Sequence, residues 1–545
     1  MREYRRDWLR PDLVAGVVLA TMLVPQGMAY ATLTGLPAIT GVYTTIAALV
    51  AYGVFGPNRR LVLGPDSSLA PVIAAVILPL STTSGDVVAL ASAMSILAGL
   101  VCLLAGLLRL GVVTELLSKP IRIGYLNGIA ILVFLSQLPG VLGVDIPTGS
   151  PLEVLSGTVD ALRGGQVVPA SLFVALASIV VIVGLNRLSR LRPGVIVAAV
   201  GSIVAVAVFG LEVAVVGDVP SGLPPFTIPT FDLEFLPALL GGALAVALVS
   251  FADTGALSTA TALKEGEKVD PNSEIKALGA SNLLSGLFQG FATSASSSRT
   301  AVALSVGSRT QVAGLVAAVG VLVIVLVFPA FVSAMPEPTL AAIVITASFA
   351  LFDWKGWKGL LQARPSEFAL SAAATLAVLV VGVLEGIGIA IALSLANFIR
   401  KAWRPHSTEL GEVAGVAGFH DRQRHPEAEV FEGLLIVRYD APLFFANAPD
   451  FGRTLQGMLR DTARPIDRVV LVGNAITDID STGVEILEDV MDDLDRRGID
   501  LAFAGLKGPV KDRLRAHGMY ERIGDEHFFP NTISAVDWHR SHRPR

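Results

Sequence analysis

The sequence predicts a polytopic α-helical membrane protein followed by a small α/β domain. Three observations predict it. Of 545 residues, 53% are hydrophobic and only 16% charged, where an ordinary soluble domain carries about 25% charged residues. Mean hydropathy is correspondingly high, at +0.65. The charge is also unevenly placed: 17 of the 41 Lys and Arg residues lie after Arg404. The domain organisation expected is a membrane domain over 1–404, a polar linker over 405–428 and a C-terminal domain over 429–545. The single cysteine, Cys102, sits in an apolar run and excludes an internal disulfide or a cysteine metal cluster. The net charge of −5 carries little information, since a membrane protein is organised by where its charges lie. Pro25-Gln26-Gly27 inside the first apolar segment does not fit a cleavable secretory signal.

A spanning helix needs about 20 mostly apolar residues. Breaking the chain at Gly, Pro and charge clusters gives stretches at 12–31, 37–55, 66–80, 87–108, 112–138, 169–185, 194–210, 236–263, 274–291, 296–307, 310–332, 338–352, 367–382 and 384–400. There are fourteen, and the third and tenth are short. The charges between them test the count. With the N-terminus inside, one side holds Arg59, Arg60, Arg109, Lys119, Arg122, Arg187, Arg190, Arg192, Lys264, Lys268, Lys276, Arg309, Lys355, Lys358 and Arg364. Arg2, Arg5, Arg6, Arg10, Arg400, Lys401 and Arg404 flank the first and last stretches on that side, and Arg163 stands alone on the other. A wrong count would scramble this bias, so both ends are expected to be cytoplasmic, in a multi-pass protein of the cell (inner) membrane.

The third and tenth stretches begin with polar breaks. One is Gly64-Pro65-Asp66-Ser67-Ser68; the other is the hydroxyl run Thr293 to Ser298 leading into Arg299 and Thr300. Such runs start a helix poorly in lipid, but they suit a helix that begins halfway across the membrane with free N–H groups at its end. Fourteen stretches with the third and tenth broken make a seven-plus-seven pattern. Seven is odd, so the second half enters from the opposite side, as an inverted repeat. The spacing agrees: Gln26 precedes Ser67 by 41 residues, and Asp253 precedes Ser294 by 41. The first, third, eighth and tenth stretches are therefore expected to line one site, in the manner of secondary transporters. The other stretches are mostly Leu, Val, Ile and Ala, suited to scaffold and contact with membrane lipid.

Beyond Arg404 the pattern changes. Residues 434–439, 468–472 and 500–504 read as buried strands, and 448–459 and 481–497 as helices. Alternation of this kind makes a small α/β domain. It carries no phosphate loop, metal spacing or catalytic triad, so no enzyme, cofactor, metal site or nucleic-acid partner is expected. His406, His420 and His425 are too scattered for zinc and read as surface residues.

Several motifs together resemble the SulP family of inorganic anion transporters, the solute-carrier-26 type. They are Val24-Pro25-Gln26-Gly27-Met28-Ala29-Tyr30-Ala31, Gly41-Val42-Tyr43 through Phe55-Gly56, Gly64-Pro65, Asn272 through Asn282, Phe288-Gln289-Gly290-Phe291 and Ser296 through Ala301. Asp478-Ile479-Asp480-Ser481-Thr482-Gly483 is similar to the core of a STAS domain. The resemblance implies two inverted seven-helix repeats sorted into core and gate domains, an elevator-type alternating-access movement, a homodimer, and an anion held between the third and tenth helices. Asp66 departs from the family, where an apolar residue often follows Gly-Pro.

The candidate site residues follow. Arg299 needs a buried partner: an anion, or a carboxylate, either Asp253 or Asp66. Ser296, Ser297 and Ser298 offer hydroxyl and backbone donors to an oxyanion, and one of them can serve as an N-cap. Asp66, Ser67 and Ser68 open the opposing half-helix, where Asp66 either caps the helix or must be neutralised when the anion binds. Gln26 and Tyr30 lie one turn apart on one face and either donate to the anion or join helices. Asp253, with Asp66 as the other candidate, is the coupling-ion site or else a structural partner of Arg299; in the family a carboxylate here serves proton or sodium coupling. Leu257, one turn on, supplies no oxygen for sodium and favours a proton. The expected function is secondary active transport of an inorganic anion, sulfate first, by proton symport. Alternatives are a bicarbonate or dicarboxylate transporter, sodium-coupled or an exchanger, a channel, and a membrane-tethered STAS regulator acting through Ser481 or Thr482.

Overall fold

In the computed structural model, residues 4–84, 86–111, 118–146, 151–188, 194–217, 222–264 and 266–542 are described. Residues 112–117 of the fifth predicted stretch lie outside them, as do the counted cations Arg2, Arg190 and Arg192.

Each of the fourteen apolar stretches overlaps a helix among the described residues. The first half of the chain forms α1 (Leu9–Leu33), α2 (Ala38–Phe55), β1 (Leu63–Gly64), α3 (Ala70–Ser84), α4 (Val87–Leu107), α5 (Lys119–Ser136), α6 (Leu138–Leu142), α7 (Pro151–Arg163), α8 (Pro169–Leu188) and α9 (Gly194–Phe209). The second half forms α10 (Leu236–Lys264), α11 (Pro271–Leu287), β2 (Ser294–Ala295), α12 (Ser297–Ser305), α13 (Val312–Val327), α14 (Pro329–Ser333), α15 (Glu337–Leu351), α16 (Trp354–Ala363), α17 (Pro365–Val380) and α18 (Val383–Trp403). Among the described residues, eight helical segments, those of α1, α2, α4, α5–α6, α8, α10, α15–α16 and α18, are long and apolar enough to cross a bilayer. Helices α3, α9, α13 and α17 are shorter and apolar. Of the two predicted half-helices, α3 keeps its length but begins four residues later, at Ala70 after a turn, and α12 spans only Ser297–Ser305, shorter at both ends.

Two packing groups emerge. Helices α1, α2, α4, α10, α11 and α13 pack on one another, and α5, α8, α9, α15 and α17 form a second group. Without a hydrophobic drive between helices in lipid, small residues set how closely they approach. A Cβ on Gly99 or on Gly279 would lie 2.8 Å from the other's carbonyl oxygen, so α4 and α11 meet backbone to backbone. Buried carboxylates tie the first group. Asp12 on α1 accepts from the Arg309 N–H at 2.6 Å and from the Thr310 hydroxyl at 2.6 Å, just ahead of α13. Glu274 on α11 accepts from the Tyr52 hydroxyl of α2 at 2.7 Å and the Ser258 hydroxyl of α10 at 2.6 Å.

The chain divides into two compact units, Met1–Ser394 and Leu395–Arg545, the division falling inside α18 ahead of residue 404. The second unit is built on a six-stranded sheet. Its elements are β3 (Ser407–Glu412), β4 (Phe419–Asp421), β5 (Gly433–Tyr439), α19 (Ala448–Asp461), β6 (Ile466–Val472), α20 (Ser481–Arg497), β7 (Asp500–Ala504), α21 (Gly508–Ala516), α22 (Met519–Ile523), β8 (Phe528–Phe529) and α23 (Thr532–Ser541). The strand order is β4-β3-β5-β6-β7-β8, with β5 to β8 parallel and β3 antiparallel to both neighbours. Leu435, Val437 and Tyr439 pack with α19, α20 and α21, while Leu434 and Ile436 pack with α23. The alternation along β5 thus fills both faces. The stretch 405–428, read from the sequence as a linker, carries β3 and β4 and extends the sheet.

Candidate functional site

The site begins with two short strands. Pro65 cannot donate a backbone hydrogen bond and disfavours helix at the residue before it, so the chain at Gly64 is extended. The Ser-rich run does the same through hydroxyls that compete for backbone groups. The two breaks pair as an antiparallel ribbon, Leu63 opposite Ala295 and Gly64 opposite Ser294. Ser296 N–H donates to the Val62 carbonyl at 3.2 Å, and Val62 N–H donates to the Thr300 hydroxyl at 3.2 Å. Thr254 of α10 holds the ribbon, its hydroxyl accepting from the Ala295 N–H at 3.1 Å. The starts of α3 and α12 therefore converge.

At α12, Ser296 is the N-cap residue but its side chain makes no capping bond. Its hydroxyl lies 3.1 Å from that of Ser298 instead, and Ser297 and Ser298 are exposed. The first N–H groups of such a helix have no intrahelical acceptor and carry the positive end of its dipole. At α3, Asp66 caps the turn: its Oδ2 accepts from the Ser68 N–H at 3.1 Å. Ser67 and Ser68 are buried behind it.

Arg299, the third residue of α12, is 1% exposed. Its Nη2 lies 3.6 Å from Asp66 Oδ1, so of the two candidate carboxylates Asp66 is the ion-pair partner. Among the described residues none of its three guanidinium nitrogens has a hydrogen-bond acceptor. A guanidinium offers five N–H donors, and burying them unmatched is costly. Asp253 is engaged elsewhere: its Oδ2 lies 3.2 Å from the Ser68 hydroxyl, which is also 2.7 Å from Asp66 Oδ2. Arg122 and Tyr125 of α5 face Asp253 from the second packing group. Tyr30 of α1 faces Asp66, Ser67 and Arg299, and Gln26 is buried one turn earlier.

The structure thus brings Tyr30, Asp66, Ser67, Ser68, Asp253 and Arg299 together, with Ser296, Ser297 and Ser298 at the adjoining helix start. Sequence reasoning missed Thr254, Tyr125 and Arg122. The last was counted only as a loop cation; the lone tyrosine of an apolar helix was the available signal for the α5 face.

A profile of the sulfate permease family matches residues 9–374, and one of the STAS domain matches residues 425–535. The chain belongs to the sulfate permease family. A permease relative named "Probable sulfate transporter", from Mycobacterium tuberculosis, is 39% identical over 98% of this chain and 96% of its own length. The permease relative "Sulfate transporter 4.1, chloroplastic", from Arabidopsis thaliana, is 28% identical over 98% of this chain and 81% of its own. Murine solute carrier 26 family member A9, an anion transporter solved in an inward-facing state, has the same fold, with a TM-score of 0.89, 21% identity and coverage of 99% of this chain and 93% of that one. The transmembrane domain of a cyanobacterial bicarbonate transporter matches with a TM-score of 0.63 at 25% identity, over 72% of this chain and 99% of its own.

Proposed function

We propose that this permease carries an inorganic anion, sulfate first, across the membrane by proton symport, with the two packing groups moving past each other as an elevator. One observation carries the reading: a fully buried guanidinium, Arg299, stands at two convergent half-helix starts with one carboxylate at 3.6 Å and, among the described residues, no hydrogen-bond acceptor. An oxyanion supplies what is missing, since its oxygens accept from the guanidinium fork, from the Ser296, Ser297 and Ser298 group and from the free N–H groups of α12. The names of the relatives support sulfate as the substrate class.

Charge bookkeeping supports a coupled cation. Asp66 pairs with Arg299, and Arg122 is the cation facing Asp253. When the anion takes a share of Arg299, the two carboxylates and a divalent anion leave excess negative charge, which a proton offsets. Leu257, one turn beyond Asp253, contributes no oxygen to a sodium site. The cation bias of the loops supports cytoplasmic termini and a STAS domain on that side, and family membership supports a homodimer in the cell membrane.

Counterflow of labelled sulfate in proteoliposomes, with a panel of competing anions, tests the reading. Sulfate exchange is expected, blocked by close oxyanion analogues and abolished in Arg299→Ala, while the purified variant keeps its elution profile. Normal exchange in Arg299→Ala overturns the site; preference for another anion overturns sulfate.

A further inference from the structure

The Ser68 hydroxyl touches two carboxylates. Its Oγ is 2.7 Å from Asp66 Oδ2 and 3.2 Å from Asp253 Oδ2, and it is 1% exposed. A hydroxyl has one hydrogen to give and two lone pairs that accept. It cannot give that hydrogen in full to both carboxylates, so two full-strength bonds need a second hydrogen, from one of the carboxyls. Asp66 pairs with Arg299 and already accepts the Ser68 N–H, so it acts as an acceptor here and takes the Ser68 hydrogen across the shorter contact. The hydrogen of the longer contact then belongs to Asp253.

We infer that Ser68 is a positioning residue that joins Asp66 and Asp253 into one unit holding a single proton, carried on Asp253 and donated to Ser68 Oγ. This deepens the proposed symport and rests on it. The charged and titratable groups facing the unit are Arg299 from α12, Tyr30 from α1, and Arg122 and Tyr125 from α5. Arg299 stands at the Asp66 end of the Ser68 bridge and Arg122 at the Asp253 end, so the two ends face different cations. A cavity of about 600 Å³, lined in part by Arg109, Arg122, Ala252, Ala256 and Glu274, lies along α10 and reaches Ala252, next to Asp253. When an oxyanion draws Arg299 from Asp66, the Ser68 hydrogen compensates Asp66 while Asp253 stays neutral. Anion and proton therefore load together.

The test is the pH profile of sulfate uptake into proteoliposomes by wild type, Ser68→Ala, Ser68→Thr and the same serine change in Asp253→Asn. Only the protonated unit makes both bonds of Ser68, so Ser68→Ala should move the half-maximal pH of uptake to the acid side by roughly one unit, the effect of one lost hydrogen bond. Ser68→Thr should keep the wild-type midpoint, and Ser68→Ala should shift nothing in Asp253→Asn. A purely structural serine would lower rates without moving the midpoint; an unmoved midpoint in Ser68→Ala beside a pH-driven wild type overturns the inference and leaves symport standing. A wild type indifferent to pH overturns both. If Ser68→Ala does not fold, the infrared difference between wild type and Asp253→Asn at neutral pH decides. A protonated-carboxyl band lost in the variant supports the shared proton, and its absence overturns it.

Discussion

A Cβ built on Gly64 would lie 2.8 Å from Nη1 of Arg299. The backbone of the first repeat thus presses on the guanidinium of the second, and the glycine of the Gly64-Pro65 break is where Arg299 finds room. Gly64→Ala is expected to displace the guanidinium by a few tenths of an ångström and to weaken sulfate binding about tenfold, or about 1.4 kcal/mol. Titration calorimetry of the purified protein reads this directly. Unchanged affinity would mean that Arg299 does not bind from this position.

Asp253→Asn keeps the shape and the donor of a protonated carboxyl. It is expected to retain sulfate counterflow while losing accumulation driven by an acidic exterior. Imposing pH and sodium gradients in turn on proteoliposomes separates the cases. Uptake that follows sodium and ignores pH would replace the proton without removing the carboxylate from its role.

Glu274 ties α2, α10 and α11 through bonds from Tyr52 and Ser258. Glu274→Gln turns one acceptor into a donor facing a hydroxyl, and it should cost about 2 kcal/mol of stability, the price of one buried mismatched bond. The thermal midpoint of the detergent-solubilised protein should fall, and Glu274→Ala should lower it further. A midpoint equal to wild type in both variants would show that the tie contributes nothing.

In the C-terminal unit, Asp421 accepts from the Thr408 hydroxyl at 2.7 Å and the Gln423 N–H at 2.8 Å, and it contacts His406 Nε2 at 2.8 Å. Burial pushes the carboxyl up, but the bonds from Thr408, His406 and Gln423 outweigh it and hold it at about 2. A carboxyl held below its ordinary value stabilises the fold in full above about pH 4, and the contribution is lost as pH falls toward that of the folded group. Amide-exchange protection of Ser407–Glu412, corrected for intrinsic rates, should therefore decline between about pH 4 and about pH 2. In Asp421→Asn the protection should be lower at neutral pH and flat across that window.

Much of the membrane fold could be read from the chain because lipid imposes few solutions. Apolar length marks the helices, and the two polar breaks stand out against it. The equal spacing from Gln26 to Ser67 and from Asp253 to Ser294 marks the repeat. What escaped was decided by contacts across long separations. Nothing local says that Arg299 pairs with Asp66 rather than Asp253, or that Ser68 reaches both carboxylates. Two-residue strands are too short to show any period, so the pairing of Leu63 with Ala295 was invisible. Strands β3 and β4 were hidden by their polarity, because an edge pair with charged exposed faces looks like linker.

The ribbon of Leu63–Gly64 against Ser294–Ala295 also bears on how such a protein can be cut apart or can have arisen. Neither half of the chain owns the pocket: one brings Gly64, Asp66 and Ser68, the other Asp253, Ser296 and Arg299. A polypeptide severed between α9 and α10 should be inert as either fragment and regain activity only when both fragments insert, in opposite senses, into one bilayer. An ancestral single-repeat gene would face the same demand, and its product would have had to meet a copy of itself inserted upside down.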